Sequence, residues 1–235
     1  MVKGKMQFRE STVILSIVIL LACSKLPQNE AQSQDADGTL EQGTRVVLLL
    51  SEKVKDTIRV YRGDAVEMRF SKSLCPSCTI PSGKTVTSDI DTLRIVKFTA
   101  SDTGVFPVMK TPQNQFTALK VTEFVPKGKA AVKNLSGKEA AEALKDTSIF
   151  ILDVRTPAEY NEGHISRATL ISVAELADRI KELEPYKHKP VFVYCRSGNR
   201  SIVAVQILTK QGFTNILHLK GGIKSWTVAG LPLDK

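Results

Sequence analysis

A single cysteine stands where nucleophilic chemistry is easiest to build. Residues 191–194 (Val-Phe-Val-Tyr) form a short apolar run, Cys195 follows, and then comes the polar stretch Arg196, Ser197, Gly198, Asn199, Arg200 and Ser201. A second apolar run, 202–208, comes directly after. The pattern predicts a buried strand, a tight loop and a buried helix, with the thiol where strand becomes loop. A loop entering a helix presents unpaired backbone N–H groups, and the helix start adds a partial positive charge. Such a cradle binds anions and favours a thiolate. Arg196 and Arg200 place two fixed positive charges in the same loop. These residue types point to a nucleophilic cysteine facing a small anionic substrate.

The elements that must position this loop follow from the flanking pattern. Ser136 and Glu139 make a capping box that opens a helix through Lys145, and 148–154 is a β-rich apolar run containing Asp153. Ser172 and Glu175 make a second such box, opening a helix toward Leu183. A helix to about Lys210, a short strand over 216–219 and a last helix around Trp226 complete the alternation. Strands alternating with helices predict an α/β domain with a parallel sheet flanked by helices. Ligands bind such sheets at the carboxyl ends of the strands, where the Cys195 loop stands.

Four separated pieces of this region carry a family resemblance. They are Leu152-Asp153-Val154-Arg155 with Glu159-Tyr160, Gly163-His164-Ile165, the loop from Cys195 to Ser201, and Gly221-Gly222 with Trp226 and 229–232 (Ala-Gly-Leu-Pro). From about 135 to 231 the chain resembles a single-domain rhodanese, a thiosulfate sulfurtransferase that carries sulfur as a cysteine persulfide. One departure is Arg167, where the family usually has glycine in the turn after His164. The related tyrosine phosphatases and arsenate reductases separate their cysteine and arginine by five residues. Here four residues separate Cys195 from Arg200, which is similar to the smaller sulfurtransferase ring.

The resemblance implies Cys195 as nucleophile, with residues Arg196 to Ser201 as the substrate-binding loop. It implies Asp153 as a buried carboxylate supporting the loop, Arg155 and Glu159 as a structural ion pair, and His164 as a residue that orders a turn. Trp226 reads as core packing. A small anionic sulfur donor such as thiosulfate and a thiol or cyanide acceptor are the expected partners. No metal and no organic cofactor is called for.

The N-terminus predicts the compartment. Lys3, Lys5 and Arg9 precede the apolar segment 13–22, which ends Leu20-Leu21-Ala22-Cys23. A basic start, a short apolar core and a small residue before the cut describe a secretory signal, too short to span a bilayer. The last four residues resemble a bacterial lipobox. Residues 1–22 are therefore expected as a lipoprotein signal peptide and Cys23 as the lipidated first residue. The resulting lipoprotein would sit on the periplasmic face of the cell envelope, and Ser24 would favour the outer membrane. Residues 23–44 are polar and read as a disordered tether.

Between 45 and 125 the period is two. Ile58 and Val60 alternate with Arg59, and Val66, Met68 and Phe70 alternate with Glu67 and Arg69. Turn signals at 62–64 (Arg-Gly-Asp) and 101–104 (Ser-Asp-Thr-Gly) separate the runs. The expectation is an all-β Greek-key sandwich of seven or so strands. Its phrasing, with Arg-Gly-Asp before a strand and 104–107 (Gly-Val-Phe-Pro) before a would-be copper loop, resembles a cupredoxin. A blue copper site needs two histidines and a cysteine. The chain's three histidines, His164, His188 and His218, all lie beyond this segment, and Lys110 and Gln113 occupy the ligand positions. The reading is a cupredoxin-like fold without the type 1 copper site.

Cys75 and Cys78 leave three uses open: a disulfide, a redox-active or sulfur-accepting dithiol, or a metal site completed by other ligands. A linker over 126–134 would lead into the second domain, 135–235.

The chain has 235 residues and a formal net charge of +9, spread along it and not gathered in a dense basic run with aromatics. Nucleic acid is therefore not an expected partner. The function expected is a membrane-anchored sulfurtransferase working through a Cys195 persulfide. The alternative is a non-catalytic sulfur carrier, or a metal- or partner-binding lipoprotein.

Overall fold

The computed structural model describes residues 36–51, 55–80 and 85–235. The expected signal peptide, Cys23 and most of the tether lie outside the described residues.

Alternating apolar residues build the first half as two packed sheets. Strands β1 (Thr39–Glu41), β2 (Thr44–Leu49), β3 (Thr57–Tyr61), β4 (Ala65–Ser71), β5 (Val86–Ile90), β6 (Leu93–Thr99), β7 (Gly104–Thr111) and β8 (Asn114–Thr122) follow in order. One sheet runs β1-β2-β4-β6-β5 and the other β3-β8-β7. β2 with β4 and β3 with β8 are parallel pairs. The others are antiparallel. Val66, Met68 and Phe70 of β4 point into a core shared with Ile58, Val60, Val108 and Leu119.

Cys75 and Cys78 are joined in a disulfide, and both sulfurs belong to this core. Of the three uses open to the pair, the disulfide is the one present. β1 lies inside the segment read as tether, because Thr39–Glu41 pairs with β2 in a tight hairpin. Lys110 is within β7, and Gln113 is in the two-residue turn joining β7 to β8.

The second half is a five-stranded parallel sheet. Its strands are β9 (Ala131–Leu135), β10 (Phe150–Asp153), β11 (Thr169–Leu170), β12 (Val191–Tyr194) and β13 (Asn215–Leu219), in the order β11-β10-β12-β13-β9. β9 falls within the span read as a linker. It is an edge strand held by five residue pairs to β13, from Asn215↔Ala131 to Leu219↔Leu135. All four residues of the central β12 are buried, as expected of a parallel strand covered on both faces.

Helices α1 (Gly137–Ala143), α2 (Pro157–Asn161) and α3 (Asn199–Lys210) connect the strands, and α4 (Gly222–Val228) follows β13. Ser136 and Glu139 form the expected capping box, although α1 ends two residues before Lys145. The helix expected from Ser172 is absent. Turns lead instead into a 3-10 helix, Ile180–Tyr186, with Pro185 inside it. The backbone closes i→i+3 turns, Glu175 N to Ser172 O and Asp178 N to Glu175 O, while Pro185, which lacks an N–H, limits only the last turn. The described residues all fall within one compact unit.

Candidate active site

β12 delivers Cys195 at its carboxyl end, and α3 begins four residues later. Cys195 is 1% exposed. Gly198 takes a left-handed φ of +99° as the residue before α3, and its N–H points at Cys195 Sγ at 3.2 Å. Glycine adopts this conformation at no steric cost. The loop is also tied from below. Ile223 N donates to Cys195 O at 2.7 Å and Lys224 N to Arg196 O at 3.2 Å. Gly222 presses so closely that a Cβ would stand 2.4 Å from Cys195 O.

Ser201, fully buried, puts Oγ 3.5 Å from Cys195 Sγ, 3.0 Å from Gly198 O and 2.9 Å from His218 Nε2. His218 Nδ1 is 2.7 Å from Asn134 Oδ1. The two residues are register partners on β13 and β9. With its proton on Nδ1, a neutral His218 presents Nε2 as an acceptor to the Ser201 hydroxyl. Sequence reading missed His218 and Asn134, since only strand pairing places this edge behind the loop.

The charged residues divide sharply. Arg155 does not pair with the Glu159 carboxylate. Its guanidinium donates twice to Asp153 Oδ2, at 2.6 and 2.8 Å, and also to Glu159 O and Gly163 O at 2.9 and 2.8 Å. The guanidinium also stands 5.6 Å from the ring of Tyr194, the residue before Cys195. The Glu159 carboxylate instead receives two bonds from Arg200, both 2.7 Å, and caps α2 through Thr156. The expected Arg155–Glu159 pair is thus two pairs: Arg155 turns inward to the shortest available carboxylate, and Glu159 reaches across to the loop. Arg200 is a brace.

Arg196 and Ser197 are exposed, and Arg196 makes no ion pair among the described residues. Arg196 is therefore the loop cation open to a substrate anion. His164 stacks on Tyr160 at 3.8 Å and exchanges backbone bonds with Asp234, ordering its turn. Arg167 takes the left-handed φ of +66° that suits glycine, while its side chain donates to Leu144 O and Thr147 O.

At the site, two groups make stability depend on pH. Burial pushes His218 down from 6.5 to about 4, so the unfolded chain takes a proton that the fold refuses as pH falls through that window. The Arg200 guanidinium holds Glu159 down from 4.5 to about 2, so its contribution is present above 4.5 and is lost on further acidification. The thermal midpoint should fall steadily from pH 6.5 to pH 3, with His218→Gln removing the upper part of the slope. A midpoint constant between pH 6.5 and 4 would contradict this assignment.

Comparison with known proteins places the site in context. Residues 136–229 match the family described as the rhodanese-like domain. A sulfurtransferase of Allochromatium vinosum is 36% identical over 103 residues, covering 43% of this chain and 94% of that protein. Thiosulfate sulfurtransferase GlpE of Coxiella burnetii is 39% identical over 94 residues, covering 40% of this chain and 86% of that protein. Among solved structures, a rhodanese-related protein of Thermoplasma volcanium is 34% identical, covering 43% of this chain and 97% of its own, with a TM-score of 0.40.

Proposed function

The chain belongs to the rhodanese-like family through residues 136–229, and from that premise we propose that it is a sulfurtransferase working through a persulfide on Cys195. The observation that carries this reading is the Gly198 N–H aimed at a buried sulfur at the start of α3. In the first half-reaction the Cys195 thiolate attacks the outer sulfur of thiosulfate. The sulfur–sulfur bond breaks, sulfite leaves with the electron pair, and Cys195 holds the transferred sulfur. Arg196 attracts the sulfonate end. The loop amides stabilise the persulfide anion, with Gly198 N–H already aimed at the sulfur. In the second half-reaction an acceptor nucleophile (a thiol, or cyanide in an assay) attacks the terminal sulfur and restores the thiolate. This is covalent catalysis and requires ping-pong kinetics. Thiocyanate formed from thiosulfate and cyanide, with parallel double-reciprocal lines, is the expected result. No turnover with either donor or acceptor in excess would overturn it.

The working protein is a lipoprotein on the periplasmic face of the envelope, held through Cys23. The basic residues Lys3, Lys5 and Arg9, the apolar segment 13–22 and the Leu-Leu-Ala-Cys ending support this. Cys23→Ala should move the protein from the membrane to the soluble fraction, and retention on the membrane would refute the anchor. The sandwich is cupredoxin-like, a reading supported by its two parallel pairs, β2 with β4 and β3 with β8.

A further inference from the structure

The sandwich takes no part in the reaction as written, yet it is built onto the helix that starts at the active loop. A helix lying on a sheet normally keeps a polar outer stripe. α3 keeps none over its central two turns: every residue from 201 to 208 is buried. The sheet covers one face, and the sandwich reaches the helix at two other places.

The first contact is at the helix start. Gly63, in the turn between β3 and β4, lies against the backbone of Asn199. A Cβ on Gly63 would stand 2.7 Å from Asn199 O and 3.2 Å from Asn199 Cα. The turn is fixed from its own side, since Gly63 N donates to Ala100 O at 2.7 Å.

The second contact is seven residues along, about 10 Å further up the helix axis. Gln206 is the only polar residue between 202 and 208. Its Nε2 donates to Asp64 Oδ1 at 2.9 Å, and its Oε1 accepts from Arg45 Nη2 at 2.8 Å. Arg45 Nε closes the ring by donating to Asp64 Oδ2, which also accepts from Tyr61 N at 3.0 Å. Arg45, Asp64 and Gln206 are 5%, 0% and 2% exposed. One guanidinium and one carboxylate balance in charge. A buried polar ring is costly when half-satisfied, so it holds α3 and the sandwich in one register. Leu40 and Phe124 pack against the same core that contains Cys195, Val203 and Val205.

We propose that the sandwich is a working part of the sulfurtransferase site: its 62–64 turn seats α3 at Asn199 and Gln206, and so sets the direction in which the loop amides meet Cys195. Gly63, Asp64 and Gln206 are positioning residues, and none touches the sulfur. The proposal rests on the persulfide reading of Cys195. Its physical basis is the sensitivity of an aimed N–H to displacement: hydrogen bonds weaken steeply off axis, and an error of about 1 Å in a reacting geometry can cost about a hundredfold in rate.

The test uses the whole chain as wild type, Gly63→Ala and Gln206→Leu, each held well below its own unfolding midpoint. Persulfide formation is followed in a single turnover with saturating thiosulfate, and alkylation of Cys195 by iodoacetamide is followed separately. Both variants should lose about tenfold in each rate while circular dichroism shows the fold intact. An interface with only a structural role would lower the melting temperature and leave both rates at the wild-type level, and that result overturns the proposal. Gln206→Leu keeps the side-chain volume and leaves Arg45 paired with Asp64, so it decides the matter should Gly63→Ala fail to fold. If the wild type takes no sulfur, the persulfide reading fails, and the alkylation rates still judge the positioning.

Discussion

Cys195→Ser loses sulfur transfer from thiosulfate to cyanide by at least about three orders of magnitude, the scale expected when a covalent nucleophile is removed. A serine hydroxyl is neither ionised at neutral pH nor thiophilic. The fold survives the change, because oxygen fits where sulfur did and Gly198 N–H can still donate to it at a site 3.2 Å from the present sulfur. Thermal midpoints of variant and wild type should agree within a few degrees. Activity near the wild-type level would remove Cys195 from the mechanism.

Arg155→Met is the second large effect, and it acts on stability. The substitution leaves Asp153 fully buried without its guanidinium, and frees the carbonyls of Glu159 and Gly163 that Arg155 now serves. Breaking a buried pair from one side costs about 3–5 kcal/mol. For a chain of this size that lowers the melting temperature by about 6–20 °C. Asp153→Asn with Arg155→Met should cost less than Arg155→Met alone, since the uncompensated charge is then gone. A single variant within about 2 °C of the wild type would show that the pair does not support the strand end carrying Tyr194 and Cys195.

The sequence made the active loop legible because three local signals agree there: an apolar strand, a polar loop with glycine at position 198, and an apolar helix. The fold keeps all three. The same run reads as a buried helix but does not name what buries it. A helix apolar on all sides must be covered on all sides, and Gln206 was the one residue that broke the run. What covers it lies 142 residues earlier, at Asp64, a distance no periodicity reports.

The misreading of Arg155 and Glu159 has a similar origin. The resemblance implied that they pair with each other, but α2 begins only at Pro157, so Arg155 lies outside it and turns to Asp153. The partner of Glu159 is 41 residues away in the loop. β9 was read as linker because an edge strand carries few apolar residues. Its place was set by pairing with β13, which also brings Asn134 to His218. The helix expected after Ser172 shows the reverse case, where a local capping pattern was present but the backbone closed i→i+3 turns at 172–175 and 175–178 and no α-helix.

The central claim is that Cys195 carries sulfur, and intact mass spectrometry tests it most directly. Purified protein is incubated with thiosulfate, freed of excess donor and weighed without reductant, and the modified peptide is then identified. The account predicts a gain of one sulfur atom on the peptide containing Cys195, reversed by cyanide and absent from Cys195→Ser. An unchanged mass after thiosulfate, or a sulfur retained by Cys195→Ser, would contradict it.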